Sequence, residues 1–86
     1  MKADQEQIMR LLKTAKGQMN GIIKMVEDDR YCVDISNQIL AMEAILRKAN
    51  REILRAHMKC CVREAVAEGN DETKIDELID MIDKLK

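Results

Sequence analysis

The chain has 86 residues, 36% of them charged, with a formal net charge of −1. A chain this short buries only roughly 60% of the surface its unfolded form exposes, which limits it to one domain over residues 1–86 with a marginal core and makes self-association the natural remedy. With no proline, three glycines and Tyr31 as the single aromatic residue, the composition excludes sheets and also excludes base stacking on aromatics as a mode of nucleic-acid binding.

The fold class read from this vocabulary is all-α, with aliphatic side chains and seven methionines filling the core. No apolar run approaches the ~20 residues that span a bilayer. The opening MKADQEQIMR lacks the hydrophobic stretch of a signal peptide. The expectation is a cytoplasmic protein with no membrane partner. In that reducing compartment the three cysteines serve as thiols, metal ligands or redox sensors rather than as a disulfide framework.

The first predicted helix carries Ile8, Leu11, Leu12, Ala15, Met19, Ile22, Ile23 and Val26, apolar at steps of three and four, and closes at Glu27-Asp28-Asp29-Arg30. The second begins near Tyr31 and Cys32 and continues through Ile35, Ile39, Met42, Leu46, Ala49 and Ile53, with neither Gly nor Pro before Gly69. Its ~35 residues from Asp34 to Glu68 would reach roughly 50 Å. Gly69 is placed to terminate it, and Asn70 or Asp71 to cap a short third helix whose apolar face is Ile75, Leu78, Ile79, Ile82 and Leu85. Three helices with one so long cannot close a compact core alone. An antiparallel dimer with a four-helix core is the expected solution.

The stretch HMKCC, His57 to Cys61, breaks the monotony of the long helix. His57 and Cys61 lie four apart and project from one face, so both can bind one ion, while Cys60 points about 100° away. Cys32 is the natural third ligand by chemistry, yet it stands 25 positions upstream, roughly 37 Å along the same helix. If two long helices pair antiparallel about an axis near Ile45 and Leu46, Cys32 of one chain meets His57 and Cys61 of the other. Two thiolates and an imidazole suit Cu(I). Zn(II) would want a fourth ligand, from Glu77 or water. The same residues also read as two small buried apolar cysteines and a hydrogen-bonded core histidine.

The segments KGQMNGI (Lys16 to Ile22), EDDRYCVDISNQI (Glu27 to Ile39) and HMKCCV (His57 to Val62) resemble the CsoR family of helical bacterial repressors, over a stretch from about Ile8 to Leu78. That resemblance implies three-helix protomers, antiparallel dimers and dimer-of-dimers tetramers. It implies Cu(I) ligation by Cys32, His57 and Cys61. Nickel/cobalt members have histidine where Cys61 stands and add an N-terminal histidine, formaldehyde-responsive members have an acid at the Cys61 position, and persulfide sensors lack the histidine. It further implies that Tyr31 and Glu77 support the site, a carboxylate or phenol accepting the other ring N–H of His57. Cys60 departs from the family pattern, which has no thiol there, and opens disulfide or persulfide chemistry.

For DNA, the second helix offers Arg47, Arg51, Arg55 and Lys59 at steps of four with Lys48 beside them, and the first adds Arg10, Lys13 and Lys16. The resemblance implies operator contacts near Lys13 and Lys48, with Gln18 close by. The expected function is a metal-responsive repressor that binds operator DNA without ligand and is released by Cu(I). The alternatives are a thiol-based persulfide or oxidant sensor of the same family, or a helical metal-binding oligomer with no DNA role. With no phosphate loop, nucleophile elbow or acid pair in a cleft, the chain does not read as an enzyme, and no small-molecule substrate is expected.

Overall fold

The computed structural model describes residues 1–69 and 71–84. Three helices follow one another: α1 (Gln5–Glu27), α2 (Cys32–Glu68) and α3 (Asp71–Lys84), with no strand among the described residues. The expected order, number and class of elements are therefore those observed, and α2 begins two residues earlier than the span counted from Asp34. Asn70 and Leu85, expected to cap and extend the third helix, lie outside the described residues.

The helix ends have local causes. Asp4 caps α1, its Oδ1 accepting from the backbone N–H of Glu6 at 3.0 Å and of Gln7 at 3.4 Å, which satisfies two of the four donors a helix start leaves unpaired. At the other end Asp29 adopts a left-handed backbone with φ 54°, and Arg30 N–H donates to the Met25 carbonyl while Asp29 N–H donates to that of Val26. These are the paired bonds of a Schellman closure, with aspartate in the position glycine usually fills. Gly69 ends α2 at φ 70°, and its N–H donates to the Ala65 carbonyl at 2.8 Å. Here the chain does use glycine for a left-handed turn.

The chain divides into two compact units. In the unit Asp4–Asn50, Ala15 and Ile22 of α1 pack with Met42 of α2, joined by the half-buried Ile35 and Ile45. The step from Ala15 to Ile22, two turns of helix, is the stripe foreseen from periodicity. In the unit of Arg51–Lys86 with Met1–Ala3, Cys61 and Ala65 of α2 are the buried apolar residues. Neither core is large. Leu12, Met19, Ile23 and Val26 on α1, and Ile75, Ile79 and Ile82 on α3, remain exposed.

Candidate metal centre

The centre of interest lies in the unit Arg51–Lys86 and is assembled from two helices. On α2 the i,i+4 step brings Cys61 Sγ to 3.2 Å from His57 Nε2. Cys61 is buried and His57 half-buried. From α3, with Leu78 and Met81 half-buried beside it, Glu77 places Oε1 at 3.5 Å from the same Nε2. Nε2, Sγ and Oε1 all lie within 4.8 Å of one another.

One ring nitrogen thus faces both a thiol and a carboxylate. A single N–H at Nε2 points at the thiol sulfur or at the carboxylate, not at both. A cation held between them would engage all three atoms at once, and one nitrogen, one sulfur and one oxygen form a donor set that transition-metal ions accept. The donors therefore fit a metal ion. The carboxylate was expected at the other ring nitrogen of His57 or as a fourth ligand. It meets the nitrogen that the thiol also faces, which departs from the first expectation and accords with the second, because α3 approaches α2 on the flank that carries Cys61.

Cys32 opens α2 in the unit Asp4–Asn50, is exposed, and is not part of the donor cluster. Tyr31 precedes it as an exposed residue whose carbonyl accepts the Ile35 N–H at 3.2 Å. Cys60 is half-buried and donates to Glu64 Oε1 at 3.3 Å, one turn along its own helix and apart from the donor cluster. Arg10, Lys13 and Lys16 are exposed on α1, as are Arg47 and Lys48 on α2, where Arg47 Nη1 lies 3.7 Å from Glu43 Oε2. Gln18 is half-buried, its Oε1 enclosed without a hydrogen-bond partner. Among the described residues no helix is long and apolar enough to cross a membrane.

Comparison with known proteins settles the relationship. The family described as metal-sensitive transcriptional repressors matches residues 4–84. The chain belongs to that family. Its relatives include the copper-sensing transcriptional repressor CsoR of Mycobacterium ulcerans, 46% identical over 71 residues, which are 83% of this chain and 61% of that protein. The CsoR of Bacillus subtilis is 42% identical over 81 residues, 94% of this chain and 80% of the relative. The chain thus spans about three-fifths of the length of the mycobacterial relatives. Among solved structures, the copper-sensing repressor CsoR with Cu(I) from Geobacillus thermodenitrificans has a TM-score of 0.81 and 46% identity, covering 92% of this chain and 82% of that one. The nickel-responsive regulator InrS has a TM-score of 0.88 at 29% identity, covering 100% of this chain and 97% of that one. Members of this repressor family are regulators of transcription rather than enzymes.

Beyond the anticipated residues lies a row that sequence reasoning followed only in part. Arg63 continues the row of Arg51, Arg55 and Lys59 on α2, and the four cations rim a groove. The step of four, extended by one turn past Lys59, was the available signal.

Proposed function

We propose that the chain is a cytoplasmic, Cu(I)-responsive repressor that holds operator DNA in its ligand-free form and releases it when Cu(I) is bound, with residues 1–86 acting as one domain. The observation that carries this reading is the convergence of Cys61 Sγ and His57 Nε2 at 3.2 Å on one face of α2. The likeness to copper-sensing relatives at 42–46% identity supports it. The ligands are His57 and Cys61, joined by Cys32 of a second copy across an antiparallel dimer that further associates as a homotetramer. The exposed apolar rows of α1 and α3 support self-association, since a protomer leaving this much apolar surface in water gains by covering it.

Bound there, Cu(I) contributes soft, low-coordinate ligation of thiolate and imidazole. The protein's own part is conformational. His57 and Cys61 lie on α2 and Glu77 on α3, so occupation of the site constrains one helix against the other through the carboxylate at 3.5 Å. If the constrained conformation fits DNA poorly, linkage demands that the inducer and the operator weaken each other by the same factor. Arg10, Lys13, Lys16, Arg47 and Lys48 hold phosphates, with Gln18 near the contact, and affinity falls steeply with salt as counterion release is lost. Tyr31, next to Cys32, supports the thiol on the other half of the composite site.

The test is fluorescence anisotropy of the reduced protein on its upstream DNA, titrated anaerobically with Cu(I), with Zn(II) and with a polysulfide. Release at about one Cu(I) per chain, with polysulfide silent, is the expected result. Release by polysulfide alone would reassign Cys32 and Cys61 to thiol chemistry. No DNA binding even at low salt would leave a metal-binding oligomer.

A further inference from the structure

The three donor atoms gathered at the metal centre come from one chain. His57 Nε2 and Cys61 Sγ stand on α2 and Glu77 Oε1 on α3, all within 4.8 Å of one another, and Cys32 is not among them. The proposed Cu(I) set takes its third ligand from Cys32 of a second copy, so the carboxylate stands beside that set as a further donor. Its chemistry points to a different class of ion.

A carboxylate oxygen is a hard ligand. Cu(I) favours soft thiolate and imidazole at low coordination number, whereas divalent ions late in the first transition row accept nitrogen, sulfur and oxygen together. Charge agrees with this division. An ionised thiol and a carboxylate carry two negative charges, which a divalent ion neutralises and a monovalent ion leaves unbalanced by one.

The spacing fits as well. Zinc bonds of about 2.3 Å to sulfur and about 2.0–2.2 Å to nitrogen and oxygen, at tetrahedral angles, hold nitrogen and sulfur about 3.6 Å apart and nitrogen and oxygen about 3.4 Å apart. The observed separations are 3.2 Å and 3.5 Å. Cys61 is 3% exposed, while the side chains of His57 and Glu77 are 38% and 43% exposed. Solvent therefore reaches the side on which a water ligand completes the tetrahedron.

We infer that one protomer by itself binds a divalent ion of the Zn(II) and Co(II) kind through His57 Nε2, Cys61 Sγ and Glu77 Oε1, with no ligand from Cys32. On binding, the thiol gives up its proton to solvent and the imidazole stays neutral. The inference deepens the repressor reading and rests on its assignment of His57 and Cys61 as metal ligands. The same two side chains serve two classes of ion, and the third donor, Cys32 of a second copy or Glu77 of the same chain, decides which is held. Since both ions use the Cys61 sulfur, each excludes the other.

The test uses Co(II) as a spectroscopic stand-in for Zn(II) on the reduced full-length protein under anaerobic conditions, with circular dichroism as the control on folding. One Co(II) per chain is expected, with visible d–d bands of tetrahedral strength and the charge-transfer band of a single thiolate, and one equivalent of Zn(II) removes both. Cys32→Ser leaves spectrum and stoichiometry unchanged, while its Cu(I) affinity, read by chelator competition, falls. Glu77→Ala, or Glu77→Gln should the first fail to fold, weakens Co(II) binding by more than the ~10- to 100-fold typical of a merely supporting group. Cu(I) added to the Co(II) form bleaches the bands at one equivalent. Loss of the spectrum in Cys32→Ser, a charge-transfer band of two thiolates, binding that survives Cys61→Ser, or unchanged Co(II) affinity without the Glu77 carboxylate overturns the inference. Co(II) silent while Cu(I) binds sinks this inference alone. Co(II) bound as described while Cu(I) neither binds nor releases DNA sinks the copper reading and leaves the divalent site in place.

Discussion

Glu77→Gln isolates the contribution of α3 to the metal centre. The substitution keeps the side chain's volume and one oxygen but removes the charge from a carboxylate 3.5 Å from His57 Nε2. The two side chains are 38% and 43% exposed, so water screens the pair. Pairs of this exposure contribute about 0–1 kcal/mol to folding. Stability without metal is therefore expected to change by less than about 1 kcal/mol. On the proposed reading the carboxylate supports the Cu(I) ligand set, and losing such a supporting group typically weakens metal affinity 10- to 100-fold, or about 1.4–2.7 kcal/mol. The assays are competition against a Cu(I) chelator of known affinity, and urea denaturation of the metal-free protein at fixed concentration. A fall in affinity of less than threefold would refute the reasoning, as would a loss of metal-free stability large enough to account for the whole effect. On the proposed reading the same variant also needs more Cu(I) to release DNA.

Three further expectations follow from particular positions. Cys61→Ser removes the thiol beside His57 and is expected to abolish Cu(I) binding with helicity kept, whereas Cys60→Ser, whose native thiol contacts Glu64 at 3.3 Å, leaves copper stoichiometry unchanged; chelator competition and circular dichroism distinguish the two. Ile22→Ala opens a cavity in the cluster with Ala15 and Met42 and is expected to cost about 2–4 kcal/mol, read from the urea midpoint at constant protein concentration. Lys48→Ala, at an exposed position, is expected to weaken DNA binding on any sequence and to lower the slope of log affinity against log salt by about one, measured by anisotropy at several salt concentrations.

Much of the protomer was legible because helices write their geometry into sequence spacing. Ile8, Ala15 and Ile22 recur every seven residues, two turns apart, and all three are buried. The close of α1 was visible only as a polar cluster, since Asp29 takes the left-handed position without the glycine that normally advertises it. The His57–Cys61 half of the candidate centre was equally readable, because a step of four fixes two side chains on one face whatever surrounds the helix. Cys32 was expected not to reach them within one chain; it opens the continuous helix α2 and is not part of the donor cluster.

The sequence by itself thus determined the number and class of elements, the length of α2 and the pairing of His57 with Cys61. All of these follow from periodicity and from the rise of 1.5 Å per residue. Only the tertiary structure decided which nitrogen Glu77 addresses and that Leu78 faces a cation-rimmed groove. It also decided that α3 keeps Ile75, Ile79 and Ile82 in water. The physical reason is that periodicity states which residues share a face. Which face meets a neighbouring helix depends on the turn at Gly69, whose left-handed backbone sets how α3 comes back against α2.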